Sequence, residues 1–185
     1  FGTEVTVVEY CKEILPNFDK DVAKRLRTVL GKKGVNIVVG AAVKEIKAEE
    51  GKLFVCYEQK NKSVAVECEK VLMSVGRKPI VPNGVEAIGI EVGRRGIVAD
   101  ENMRTSINNI FAIGDVNGKC MLAHAASFQG ERALNAIIAD KNGTEVNDEI
   151  NFGIIPGAVF TVPELGMVGL TEEQCEAQGI DVTTK

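Results

Sequence analysis

The residues best suited to chemistry lie between positions 105 and 124, in TSINNIFAIGDVNGKCMLAH. A polar turn leads into the apolar run Ile110, Phe111, Ala112, Ile113, which reads as a short strand. Gly114 and Asp115 follow, then a loop, then a helix start at about Ala123. This order can grip a cofactor. Glycine lets a ligand come close to the backbone. The carboxylate of Asp115 can accept bonds from sugar-like hydroxyls. The free N–H groups at a helix start favour electron-rich atoms, including a ring carbonyl that becomes anionic on reduction. The plainer alternative is a strand-to-helix connection with Asp115 as a turn residue. Met121, Leu122, Ala123 and His124 stand at the helix entry. His124, the only histidine, reads as a partner for a neighbouring backbone or carboxylate group rather than an acid–base catalyst. No paired carboxylate and no Ser or Cys nucleophile set accompanies it.

A second group is Glu9, Val43 and Gly76. Glu9 ends an apolar strand, where an acid in a dinucleotide-binding fold bonds the adenosine ribose hydroxyls and disfavours a 2′-phosphate. The glycine-rich turn that belongs about 20 residues upstream is not in the chain. A solvated carboxylate at a strand end is the alternative. Gly76 follows the apolar run 71–75 and would cap a sheet strand at its C-terminal end, where open α/β sheets bind ligands. It is equally a turn glycine before Pro79. Arg77 and Lys78 either serve phosphates or are solvated, and Val43 either packs on an adenine or belongs to the core.

Composition bounds the partners. The net charge of −4 argues against nucleic acid and membrane surfaces, which want a basic face. No apolar run approaches the roughly 20 residues of a membrane span. The five cysteines, at 11, 56, 68, 120 and 175, are widely spaced, without a CxxC or CxxxxC pair. They fit free thiols in a reducing cytoplasm, and with one histidine they make no zinc site. The 45% hydrophobic content allows a packed core.

The positioning elements follow from periodicity. Residues 4–9 and 35–39 read as buried strands joined by a helix from an Asp19 cap to about Lys33, with Val22, Leu26, Val29 and Leu30 on one face. Strand–helix–strand favours a parallel pair. Between 42 and 69 the period changes to two, with turns at Glu50-Gly51 and at residues 60–62, which predicts a three-stranded antiparallel meander. Residues 71–75 read as another parallel-type strand. A loop-rich stretch, 80–109, holds a short helix near 85–88 and a short strand at 97–99. A long helix runs from Ala123 to about Lys141, with Ala126, Ala133, Leu134, Ile137 and Ile138 available for packing. Two short strands flank residues 161–164, and Thr171 opens a capping box.

The combination VTVVE at 5–9, SVGRKP at 74–79, TSINNIFAIGDV at 105–116, MLAHAA at 121–126 and FTVPELGMVGLTEEQ at 160–174 resembles the flavin-dependent pyridine nucleotide–disulfide oxidoreductases. Within them MLAH most resembles the dihydrolipoamide dehydrogenase family. The resemblance implies an α/β fold: a Rossmann-like NAD domain at 1–78, lacking its first strand and helix and carrying the meander. The C-terminal part of an FAD domain would follow at 79–151, and the start of an α+β interface domain at 152–185. It implies that Asp115 bonds the FAD ribitol, that Met121, Leu122, Ala123 and His124 lie along the flavin, and that Glu9, Val43 and Gly76 line the NAD site.

The implied activity is oxidation of protein-bound dihydrolipoamide, with electrons passing through an active-site disulfide and FAD to NAD. The implied partners are a second copy, in a homodimer, and lipoyl-bearing subunits of 2-oxoacid dehydrogenase or glycine cleavage complexes. The family's redox CxxxxC, both GxGxxG turns and the His-Glu pair have no counterpart here, so no catalytic residue is assigned, and the chain reads as a middle-to-late fragment. Alone it is expected to be inactive, to bind FAD poorly, and to edge-pair or swap strands through the exposed edge beside residues 5–8. The other readings are a reductase for a different dithiol, or a non-catalytic nucleotide-binding module.

Overall fold

A computed structural model describes residues 2–146 and 151–184. In chain order the elements are β1 (Thr6–Val8), α1 (Lys20–Lys32), β2 (Asn36–Val38), β3 (Ala41–Glu49), β4 (Lys52–Gln59), β5 (Lys62–Cys68), β6 (Val92–Gly93), β7 (Gly96–Ile97), α2 (Ala123–Asn142), β8 (Gly157–Val159), β9 (Leu165–Met167) and α3 (Glu172–Ala177). Short 3-10 turns occupy Glu86–Ile88, Gly114–Asn117 and Phe152–Ile154. These elements form two compact units, residues 2–74 with 156–184, and residues 75–155.

In the first unit β1 and β2 pair in parallel, Val7 opposite Ile37, with α1 as the crossover. Ala23 and Leu26 of α1 are buried with Ile14, and Leu30, Ile37, Val39 and Leu165 pack around them. Burying a Leu side chain of this kind contributes about 2 kcal/mol. The meander forms in the order β3-β4-β5, both pairs antiparallel. Its two turns put Glu50, Gly51, Lys60 and Asn61 at positive φ, the two-residue geometry that matches strand twist. A bulge at Lys44 separates the pairs Val43–Tyr57 and Glu45–Cys56.

Asp19 stands at the cap position of α1 but makes no side-chain cap there. Its Oδ1 instead accepts the N–H of Glu172 at 2.8 Å, so it caps α3. Thr171 completes the expected capping box: its hydroxyl accepts from the Gln174 N–H at 3.3 Å, and its own N–H donates to Gln174 Oε1 at 2.9 Å. β8 and β9 pair antiparallel around residues 160–164.

The apolar run 71–75 is not a strand. Leu72 is 88% exposed and Val75 85%. A run of this kind is stable as a strand only with hydrogen-bonding neighbours and cover on both faces, and the described residues supply neither. In the second unit Ile90, Ile97 and Ala112 are buried, with Val81, Val85, Ile107, Ile110 and Val116 around them. β6 and β7 form a minimal hairpin.

Residues 110–113 also build no ladder. One bridge joins Arg104 to Phe111, and Ala112 N–H donates to Met103 O at 2.9 Å. The buried face of α2 is Ala125, Gln129, Ala133, Ala136 and Ala139. Of the expected packing set only Ala133 belongs to it. Leu134, Ile137 and Ile138 are about half exposed. Small residues at helical spacing bring the α2 backbone close to the turn at 114–117 and leave the larger side chains outside.

Candidate functional site

The turn at 114–117 is held from within. Ile113 approaches it extended, at φ −121 and ψ 158, and Gly118 leaves it at φ +62. The N–H of Gly114 donates to Gln129 Oε1 at 2.7 Å. Asn117 Nδ2 donates to the same oxygen at 2.8 Å and to Ala112 O at 2.8 Å. Asn117 Oδ1 accepts from Lys119 N–H at 3.0 Å. Gln129 is fully buried and Asn117 is 5% exposed, so these bonds form away from water, where a lost partner costs most. Between the two anchored ends Asp115 is exposed, and its carboxylate holds no hydrogen bond among the described residues. It is the one acidic group on the turn.

Two glycines fix the neighbouring backbone. A Cβ on Gly118 would lie 1.9 Å from Arg95 O, and one on Gly96, at φ +109, would lie 2.1 Å from Val116 O. The β6–β7 hairpin and the Asp115 turn therefore interlock at positions that only glycine fills. The turn also packs on α2. That helix begins at Ala123, with Leu122 extended before it and no side-chain cap from Leu122, and its N-terminus favours electron-rich groups. Met121 is half-buried, while Leu122, Ala123 and His124 are exposed on the helix entry.

This set fits a flavin nucleotide in kind: an exposed carboxylate for hydroxyls, a turn that opens on a glycine, and a helix start without a side-chain cap. Cys120 stands in the same loop. Burial, then the charge of Asp115, raises its thiol above the ordinary value against a smaller opposing bond from the Leu122 backbone. These surroundings favour the thiol over the thiolate.

Glu9 and Val43 share the first unit. Glu9 N–H donates to Val38 O at 2.8 Å, and Glu9 O accepts from Ala41 N–H at 2.9 Å, so the residue is stitched between β2 and the start of β3. Its Oε1 accepts the N–H of Cys11 at 2.7 Å. One carboxylate oxygen thus orients the group at the strand end. The adjacent Cys11 thiol is raised by burial first and by its bond to Glu9 second. Val43 lies two residues beyond Ala41 and is 43% exposed. Gly76 lies in the second unit, exposed, at φ +108 with open space around it. It caps no strand, contrary to the reading of 71–75. Its backbone angle, rather than crowding, requires glycine.

Gln129 and Asn117 are absent from the residues singled out by sequence. The signal was present: Gln129 falls four residues after Ala125 and four before Ala133, a polar residue within an alanine stripe. The expected face through Ala126 is one residue out of phase with the buried one, and Gln129 falls off it.

Residues 1–130 match the family model described as pyridine nucleotide-disulphide oxidoreductase. The dihydrolipoyl dehydrogenase of Geobacillus stearothermophilus is 39% identical over 98% of this chain and 38% of its own length. The mercuric reductase of Bacillus cereus is 31% identical over 99% of this chain and 28% of its own length. Among solved structures, the HOCl-induced flavoprotein disulfide reductase of Escherichia coli superposes with a TM-score of 0.78 at 30% identity, covering 98% of this chain and 40% of that one. LpdA of Mycobacterium tuberculosis does so with a TM-score of 0.80 at 29% identity, covering 96% of this chain and 37% of that one. The chain spans less than half the length of these relatives. It belongs to the pyridine nucleotide–disulphide oxidoreductase family, whose members work with a flavin and a pyridine nucleotide.

Proposed function

We propose that the chain is part of a dihydrolipoamide dehydrogenase, an enzyme that reoxidises protein-bound dihydrolipoyl groups and reduces NAD. The observation that carries the flavin half is the exposed Asp115 carboxylate on a turn anchored by two buried amides, beside the start of α2. FAD, when bound, relays electrons between a dithiol and a nicotinamide. The residues of this chain hold and orient it. Asp115 accepts from ribityl hydroxyls, and residues 121–124 lie along the ring, largely through their backbone. Glu9 accepts from the adenosine ribose of NAD and repels a 2′-phosphate, Val43 packs on the base, and Gly76 allows close approach. The domain reading that goes with it is 1–78 for NAD, 79–151 for FAD and 152–185 for the interface of a homodimer. Lipoyl-bearing subunits in the cytoplasm are its partners.

Identity to dihydrolipoyl dehydrogenases, at 39%, favours the lipoyl substrate over the mercuric reductase relation at 31%. The test is a substrate panel with the full-length enzyme. The proposal expects NAD reduction with dihydrolipoamide and none of comparable rate with glutathione. Turnover of glutathione disulfide or mercuric ion with no lipoamide reaction would reject it.

A further inference from the structure

The flavin-side turn has a device that the family relationship does not explain. Three groups that must keep fixed relative positions are the Gly114 backbone, the Asp115 carboxylate and the start of α2. All three are referred to a single atom. Gln129 Oε1 takes the Gly114 N–H at 2.7 Å and the Asn117 amide at 2.8 Å, from a residue nearly two turns into the same helix whose N-terminus faces the loop. Asn117 relays the anchor in both directions, to Ala112 O before the turn and to Lys119 N–H after it. Gln129 is fully buried, and its Nε2 has no hydrogen-bond partner among the described residues. Only the oxygen of the amide is used. The residue therefore works as an acceptor, and an acceptor of the same length should replace it.

We propose that Gln129 is the positioning residue of the flavin-binding turn: it locks Asp115 in register with the N-terminus of α2, so that the carboxylate and the helix-start amides address the same ligand together. This rests on the reading of Asp115 as a flavin ligand. Gln129 touches neither the ligand nor a reacting atom. Its effect is on how much of the Asp115 interaction is realised. Removing the acceptor leaves the Gly114 N–H and one Asn117 amide hydrogen without a partner in a dry site, and the turn must rearrange to satisfy them.

The experiment is a flavin-fluorescence titration of the full-length apoenzyme with FAD, on the parent, Gln129→Leu, Gln129→Glu, Asp115→Ala and the double variant Asp115→Ala/Gln129→Leu, with thermal midpoints of each apoprotein. Gln129→Leu should weaken FAD about tenfold or more, and Gln129→Glu, which keeps the acceptor, should stay within about threefold of the parent. The double variant should bind little worse than Asp115→Ala, because an unlocked turn has no carboxylate left to misplace. If Gln129→Leu does not fold, Gln129→Met, of similar length and without the amide, takes its place. Unchanged FAD affinity in the Leu or Met variant, or losses that add fully in the double variant, overturns the positioning role. If Asp115→Ala itself binds FAD like the parent, the flavin reading falls instead, a result distinct from the first.

Discussion

Asp115 and Glu9 are two carboxylates proposed for two halves of one electron path, and the protein holds them in opposite ways. Glu9 is fixed directly: one of its own oxygens accepts the Cys11 N–H at 2.7 Å, and its backbone is stitched to β2 and β3. Its position depends on few contacts and costs it half its bonding capacity. Asp115 is fixed indirectly. Its carboxylate spends no bond among the described residues, while Gln129, Asn117, Gly96 and Gly118 hold the backbone beneath it. A ligand that needs a whole carboxylate meets one. The difference teaches that placement of a binding group can be delegated to buried neighbours, and that the delegated site then fails through residues that never touch the ligand.

Several substitutions would break or sharpen this contrast. The largest effect is expected from Gly118→Ala. The new Cβ would lie 1.9 Å from Arg95 O at a φ of +62. Overpacking and left-handed strain together should cost on the order of 4 kcal/mol, seen as a drop in the urea midpoint. Tolerance of that alanine would show that the interlock with the hairpin is dispensable. Next is Asp115→Ala, which removes hydrogen bonds worth about 1.5–3 kcal/mol each and should lower FAD affinity by about two orders of magnitude in a titration. Glu9→Gln should do less. It keeps the acceptor for Cys11 but replaces the second oxygen by an NH2 donor and removes the charge, raising the KM for NAD by roughly tenfold or less while narrowing the preference over NADP, a change of about 1 kcal/mol. A large loss of fold stability in that variant would mean that Glu9 is structural.

Smaller effects belong to the scaffold of the unit that carries Glu9. Thr171→Ala removes the capping box and should cost about 1 kcal/mol, a shift of a few degrees in Tm. The exposed Lys20–Glu173 pair should matter least. Glu173 is held below its ordinary value of 4.5, chiefly by its bond to Lys20. A carboxylate depressed in the folded state stabilises above its unfolded value, and that contribution fades as pH falls through the lower folded one. Glu173→Gln should therefore lower stability slightly at neutral pH, flatten the slight loss on the acid side, and change nothing once the pH is below the folded value.

Local rules made much of this legible. The β1–α1–β2 unit, the meander, its two turns and the Thr171 box follow from periodicity and turn chemistry confined to a few residues. What failed depended on neighbours. Residues 71–75 have strand composition, but a strand is defined by its partners, and none of the described residues pairs with them. Asp19 looked like a cap for the helix that follows it and caps one 153 residues away, which no local pattern encodes. In the site, Gly114, Asp115 and the start of α2 were read from their order. Gln129 and Asn117 were not, because an amide that acts through its neighbours carries no motif, and only burial marks it.

The central claim is that the turn at 114–117 presents Asp115 to a flavin. A crystal structure of the full-length enzyme with FAD tests it most directly, through one distance. A ribityl hydroxyl should lie within roughly 2.5–3.0 Å of the Asp115 carboxylate, with the Gly114 N–H still bonded to Gln129. A flavin bound with Asp115 facing solvent would contradict it.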